Sequence, residues 1–191
     1  LYARPDLAAA LAPEAMTLSE IADRVSLHRY EMQRRLGDLS EGYALGTVPL
    51  RFTDLGASLE VLVRDVLPDF EGPIRASIVF GTDAADRGAE VAGSALRDRI
   101  HGGLGDDWLD GNVDDDYLDG GPGNDVLVGG PGMDTLEGGT GDDVLYGTGP
   151  DAVDDGQTDV LIGGEGHDVL HAGRGDLVLD TTGTLRMMIA G

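Results

Sequence analysis

A nine-residue unit recurs from about Gly93 to Asp180, and it restricts this chain to a fold built of stacked coils. The cleanest copies are GGLGDDWLD (Gly102–Asp110), GGPGNDVLV (Gly120–Val128), GGPGMDTLE (Gly129–Glu137), GGTGDDVLY (Gly138–Tyr146) and GGEGHDVLH (Gly163–His171). Glycine holds positions one, two and four, aspartate position six, and an apolar residue position eight. The in-frame aspartates are Asp98, Asp107, Asp116, Asp125, Asp134 and Asp143, and after a seven-residue interruption Asp159 and Asp168. Two residues after the aspartate position come Ile100, Leu109, Leu118, Leu127, Leu136, Leu145, Leu161, Leu170 and Leu179. In the last copy, AGRGDLVLD, Leu177 stands where the aspartate belongs.

One inward side chain between two outward ones is a very short strand. The six glycine-rich residues between strands suit a tight turn. Strand, turn, strand and turn make one coil from two repeat units, so the pattern predicts a parallel β-roll with a thin core of position-eight residues. An irregular acidic linker would not keep an apolar residue at position eight nine times over.

Alternate copies, two units apart, then stack. Asp107, Asp125, Asp143 and Asp168 are expected in one column, and Asp98, Asp116, Asp134 and Asp159 in the other. Carboxylates on strands ~4.8 Å apart repel by roughly 3 kcal/mol at an effective dielectric of 20. A divalent cation between each pair turns repulsion into attraction. Calcium, which takes six to eight oxygens at ~2.4 Å, suits carboxylates mixed with turn carbonyls better than octahedral magnesium. Six such pairs set an expectation of about four to six ions. The thin core cannot offset the entropy of ordering the repeat, which predicts a disordered metal-free form and a folded calcium form.

The tract closely resembles the repeats-in-toxin (RTX) nonapeptide GGxGxDxUx of the haemolysin-type calcium-binding proteins, over Gly93–Asp180 with a looser lead-in at Gly81–Ala89. The resemblance implies secretion from a Gram-negative bacterium through a one-step (type I) exporter, with folding delayed until external calcium is met. It implies that the position-six aspartates are metal ligands, helped by carbonyls of Gly102, Leu104, Gly120, Pro122, Gly129, Pro131, Gly138 and Thr140. Gly93–His101 and Gly111–Asp119 each depart from the pattern by two glycines. The interruption is expected to bulge from one edge, with Asp151, Asp154 and Asp155 either binding metal or not.

Charge follows the same division. The chain carries 36 acidic and 13 basic residues, net −23, and residues 81–191 hold 24 of the acidic and 5 of the basic ones. So acidic a field attracts cations and repels nucleic acid and anionic membranes. There is no cysteine, hence no disulfide and no thiolate zinc site, and no apolar stretch approaches the length of a membrane span. The opening LYARPDLAAA has neither methionine nor signal-peptide core, which suggests a fragment of a longer protein.

Residues 1–75 read as a separate, helical region, against 76–191 for the roll, so the chain as a whole is α+β and mostly β. Thr17 with Glu20 forms a capping box ahead of an apolar stripe at Ile21, Ala22 and Val25. A second helix follows Ser26, a hairpin is expected around Gly46-Thr47, and a last helix over Leu55–Val66 is capped by Thr53 or Asp54 and stopped by Pro68. This stretch weakly resembles a winged helix-turn-helix, with Arg29, Arg34 and Arg35 on the second helix. That would imply DNA reading. The alternative is a small helical cap over the end of the roll.

No HExxH and no GxSxG motif is present, so no catalytic signature appears. His101, His167 and His171 fall at turns or outward strand positions and are expected to be solvated; Trp108, Tyr117 and Tyr146 are also expected to face outward. The closing TTGTLRMMIAG is either a strand sealing the roll or the start of an export signal. The reading is a calcium-binding module that folds outside the cell, aids export and stabilises its parent protein, with calcium and the exporter as partners and no nucleic acid. The alternative is the tail of a secreted lipase or protease whose catalytic domain lies upstream. A DNA-binding regulator is the remote alternative.

Overall fold

The computed structural model describes residues 20, 23–24, 50–63, 76–150, 154–179 and 182–189. The chain divides into two compact units, Leu1–Tyr43 and Ala44–Gly191. In the first, Glu20, Asp23 and Arg24 are helical, and Arg24 Nε lies 3.2 Å from Glu20 Oε1, one turn away. The winged-helix resemblance, the second helix and the hairpin around Gly46-Thr47 fall outside the described residues.

The second unit is a β-roll. Its strands are β1 (Leu50–Asp54), β2 (Leu59–Val63), β3 (Ala76–Phe80), β4 (Arg99–His101), β5 (Trp108–Asp110), β6 (Tyr117–Pro122), β7 (Val126–Val128), β8 (Thr135–Thr140), β9 (Val144–Tyr146), β10 (Val160–Ala172), β11 (Leu177–Leu179) and β12 (Thr182–Ile189). One parallel face runs β3–β4–β6–β8–β10 and the other β5–β7–β9–β10. The stacking step is the predicted two repeat units: Leu118 pairs with Leu136, and Leu109 with Leu127. Across the interruption the step lengthens, as Leu136 pairs with Leu161 and Leu145 with Leu170, so the extra seven residues leave the register intact. β10 is long enough to pass through a turn and supply a rung to each face.

Side chains alternate as a half-buried strand requires. Ile100, Leu118, Leu136 and Leu161 from one face, and Leu109, Leu127, Leu145 and Leu170 from the other, are fully buried and form one cluster with Val79 and Val91. Each coil thus contributes two core side chains, on the order of 1.5–3 kcal/mol apiece.

Three expectations are corrected here. The expected helix over Leu55–Val66 is absent from its described part, residues 55–63. Leu55–Ser58 form a turn, in which Asp54 Oδ1 accepts the Ala57 N–H at 2.9 Å, and β2 then pairs antiparallel with β1. The alternation and valines of LEVLV favour a strand once β1 offers an edge. β1 also pairs parallel with β3, so residues 50–63 extend the roll's sheet instead of joining a helical region.

Second, the last coil slips by one residue. Val178, not Leu179, pairs with core residue Leu161, and Leu179 is exposed. A one-residue slip exchanges the two faces of a strand. Third, His101 is buried: its ring stacks on Phe80, centroids 5.4 Å apart, with Nδ1 3.1 Å from Asp119 Oδ2. Phe80, His101 and Asp119 occupy outward positions yet are all buried, so that row does not face solvent.

His167 is exposed beside Asp142, and His171 is half-buried against Tyr146, ring centroids 4.3 Å apart. Trp108 is exposed, while Tyr117 donates its hydroxyl to Glu137 at 2.9 Å under the Arg99 guanidinium. The closing stretch is a strand, β12, paired parallel with β10.

The copies that lack glycines still turn. In GNVDDDYLD, Asn112 and Asp114 take φ of 76° and 86°, the left-handed conformation the missing glycines would adopt. Asn and Asp tolerate that region better than other side chains.

Candidate metal centre

Each position-six aspartate sits at the end of a turn, just before its strand, and its two carboxylate oxygens are used differently. Oδ1 accepts the backbone N–H of the aspartate one coil earlier. Asp116 takes Asp98 N–H at 2.7 Å; Asp125 takes Asp107, Asp134 takes Asp116 and Asp143 takes Asp125, each at 2.8 Å. Across the interruption Asp159 takes Asp134 at 3.0 Å and Asp168 takes Asp143 at 3.1 Å. All eight expected aspartates therefore stand in the two expected columns.

Oδ2 is the informative atom. In Asp107, Asp116, Asp125, Asp134, Asp143 and Asp168 it is buried and has no hydrogen-bond partner. A buried carboxylate oxygen in that state is costly unless a cation meets it. It points at the position-one glycine of its own turn and, in all but Asp168, lies beside the position-one carbonyl one coil on. A Cβ on Gly111 would lie 2.6 Å from both Asp116 Oδ2 and Gly129 O. The same geometry joins Asp107 to Gly120 O around Gly102, and Asp125 to Gly138 O around Gly120. The glycine leaves a small space lined by oxygen.

The other carbonyls named from the sequence lie in the same turns. Pro122 O accepts Gly105 N–H and Thr140 O accepts Gly123 N–H, at 3.0 and 2.8 Å, and Pro131 O accepts Asp114 N–H at 3.0 Å. Each keeps a second lone pair. Leu104 donates its N–H to Thr82 O at 3.2 Å. Gly102 O lies beside Asp86 Oδ2 around Gly81, as Gly120 O does beside Asp107 Oδ2.

Two column members escape the nine-residue frame. Asp86 heads one column: its N–H donates to Asp107 Oδ1 at 2.8 Å. Asp86 follows Gly81 by five residues, as every other column aspartate before the interruption follows its glycine. Asp176 ends the other column, accepting Asp159 N–H at 3.0 Å. It takes the place that Leu177 holds in the frame, because the last coil is one residue shorter.

Asp98 differs from its neighbours, since Oδ1 accepts Ser77 N–H and Oδ2 accepts Ser94 N–H. From the interruption, Asp154 binds Gly156 and Arg174 N–H, and Asp155 binds Gln157 and Gly132 N–H.

Burial is the main influence on these carboxyls, ahead of the repulsion expected from stacking. It pushes Asp116 up to about 9, and Asp125, Asp134 and Asp143 to about 7. Asp107 and Asp159 rise to about 6 for the same reason. The ladder hydrogen bonds lower each value, and stacked or neighbouring aspartates raise it again.

The metal-free folded state therefore holds more protons than the unfolded chain between about pH 4 and 9, and its stability falls as pH rises through that window. With chelator present, acidification from pH 8 to 5 should increase β-structure in circular dichroism, while calcium affinity measured over the same range declines. Loss of β-structure on acidification in chelator would contradict this geometry.

Among the described residues no three His, Asp or Glu side chains gather at one point, so a cation here would be shared between a column's carboxylates and backbone carbonyls. All these donors are hard oxygens, the set calcium takes and zinc or copper does not prefer. Fold and donors together define a calcium-binding β-roll. Residues 93–127, 128–149 and 154–176 match the family model described as the RTX calcium-binding nonapeptide repeat (4 copies). No curated protein and no solved structure matches the chain. The repeat module is a structural calcium-binding element rather than a catalytic one. Among the described residues no helix is long and apolar enough to cross a membrane.

Proposed function

We propose that this chain is the calcium-dependent folding module of an exported bacterial protein, extended where calcium is scarce and compact where it is plentiful. The observation that carries this reading is the set of six buried Oδ2 atoms without partners. Asp107, Asp116, Asp125, Asp134, Asp143 and Asp168 would be the principal ligands, with Asp98 at the head of its column and Asp159 one rung before its end. The position-one carbonyls of Gly102, Gly120, Gly129 and Gly138 would complete the sites, with those of Leu104, Pro122, Pro131 and Thr140 in support. Bound calcium supplies the positive charge that these oxygens lack. The side chains do the rest: Oδ1 holds one coil to the next through a backbone N–H, and this aims Oδ2 at the position-one glycine of its own turn.

A module that cannot close until it meets external calcium would cross a type I exporter unfolded and then stabilise whatever is joined to it. About four to six ions would serve the two columns. The test is a titration of chelator-treated full chain followed by far-ultraviolet circular dichroism. A steep coil-to-β transition with calcium, and a far weaker response to magnesium, is expected. A full β signal in excess chelator at pH 7.5, unchanged by calcium, would overturn the proposal.

A further inference from the structure

The end of the roll is unlike its body. From Ile100 to Leu170 every core leucine or isoleucine is fully buried, because another coil covers it. In the last coil Val178 stands in register with Leu161, and Met187 with Leu170, continuing the two core columns. Val178 is only partly buried and Met187 is 49% exposed, with Leu177, Leu179 and Met188 exposed around them. Among the described residues β11 and β12 pair with β10 alone, so no described strand occupies the other edge of either. Edges of this kind are templates for another strand.

Charge selects the occupant. Residues 81–171 carry 22 acidic and 3 basic residues, whereas residues 172–191 balance Arg174 and Arg186 against Asp176 and Asp180. Two copies of a chain with net charge −23 repel one another across most of their surface, and the neutral last coil is where that repulsion is least. A second copy also presents the same pair of core columns at the same separation.

We propose that the C-terminal end of the calcium-bound roll, the β11 and β12 edges with Val178, Leu179 and Met187, joins the same end of a second copy about a two-fold axis. The axis runs normal to the two faces. It sets β12 antiparallel to the partner's β12, and β11 antiparallel to its counterpart, so each face continues and both core columns are covered. Closed symmetry of this sort uses each of these edges once and stops at two copies.

Sedimentation velocity of the full chain in saturating calcium should show twice the monomer mass at tens of micromolar. Leu179→Glu with Met187→Glu should return the monomer mass while keeping the calcium-induced dichroism. The chain has no cysteine. Arg186→Cys, exposed at the middle of β12, should therefore form disulfide-linked dimers under mild oxidation in calcium. Val113→Cys, also exposed but on the body of the roll, should not. A monomer at every concentration, equal crosslinking of the two cysteine variants, or mass growing beyond two copies would overturn the proposal. The dichroism transition reads the roll itself, so its presence without dimerisation separates failure here from failure of the proposed function.

Discussion

Gly139→Ala is expected to leave the chain unfolded at calcium concentrations that fold the parent, whereas Gly156→Ala shifts the midpoint only slightly. Both glycines adopt positive φ, 111° and 78°, so alanine carries the left-handed cost of roughly 1–2 kcal/mol at either position. They differ in what surrounds them. A Cβ on Gly139 would run into the backbone of Gly121 in the coil beneath, while one on Gly156 meets nothing within 4 Å. Backbone cannot move aside as a side chain can, so the stacked coils must part. That adds about 1–3 kcal/mol and breaks the register on which the aspartate columns depend. Calcium midpoints from circular dichroism, with denaturant unfolding in saturating calcium, measure both. Equal effects for the two substitutions would mean that coil-to-coil contact is not what limits the fold.

Asp125→Ala should raise the calcium midpoint by roughly tenfold or more, since even supporting residues of a metal site are worth that much. Asp98→Ala should do less. Asp125 lies mid-column with a partnerless Oδ2, whereas both oxygens of Asp98 already accept N–H groups from Ser77 and Ser94. Asp125→Asn separates the two uses of the carboxylate. Its amide oxygen can still accept Asp107 N–H, yet it puts a neutral amide where Oδ2 was. If Oδ2 is the atom that matters, Asn behaves like Ala in the calcium titration. If the ladder bond matters more, Asn behaves like the parent chain. Isothermal titration with calcium distinguishes the outcomes.

The roll was legible because two periods coincide in the sequence. A nine-residue step places Asp125 and Asp134 in different columns, and the coil of two units places Asp125 over Asp107; both follow from strand alternation and turn length. Structure departs from the sequence pattern where that pattern is locally ambiguous. LEVLV satisfies a short helix as well as a strand until β1 provides an edge. Asp176 is out of frame by one residue, and only pairing of Val178 with Leu161 reveals that the coil has shortened around it. His101 looks outward, and is, but outward is not exposed once that face of the sheet is covered.

Sequence alone determined the coil length, the core columns, the aspartate columns and the chemistry of a calcium ligand, because these depend on residue spacing and side-chain type within one repeating unit. Tertiary structure decided which oxygen of each aspartate is already bonded and which remains buried without a partner. It also decided that Asp86 and Asp176 join the columns, and that the last coil leaves Met187 uncovered. Those outcomes depend on where one coil meets the next, a relation between residues 17 to 25 positions apart that no single repeat contains.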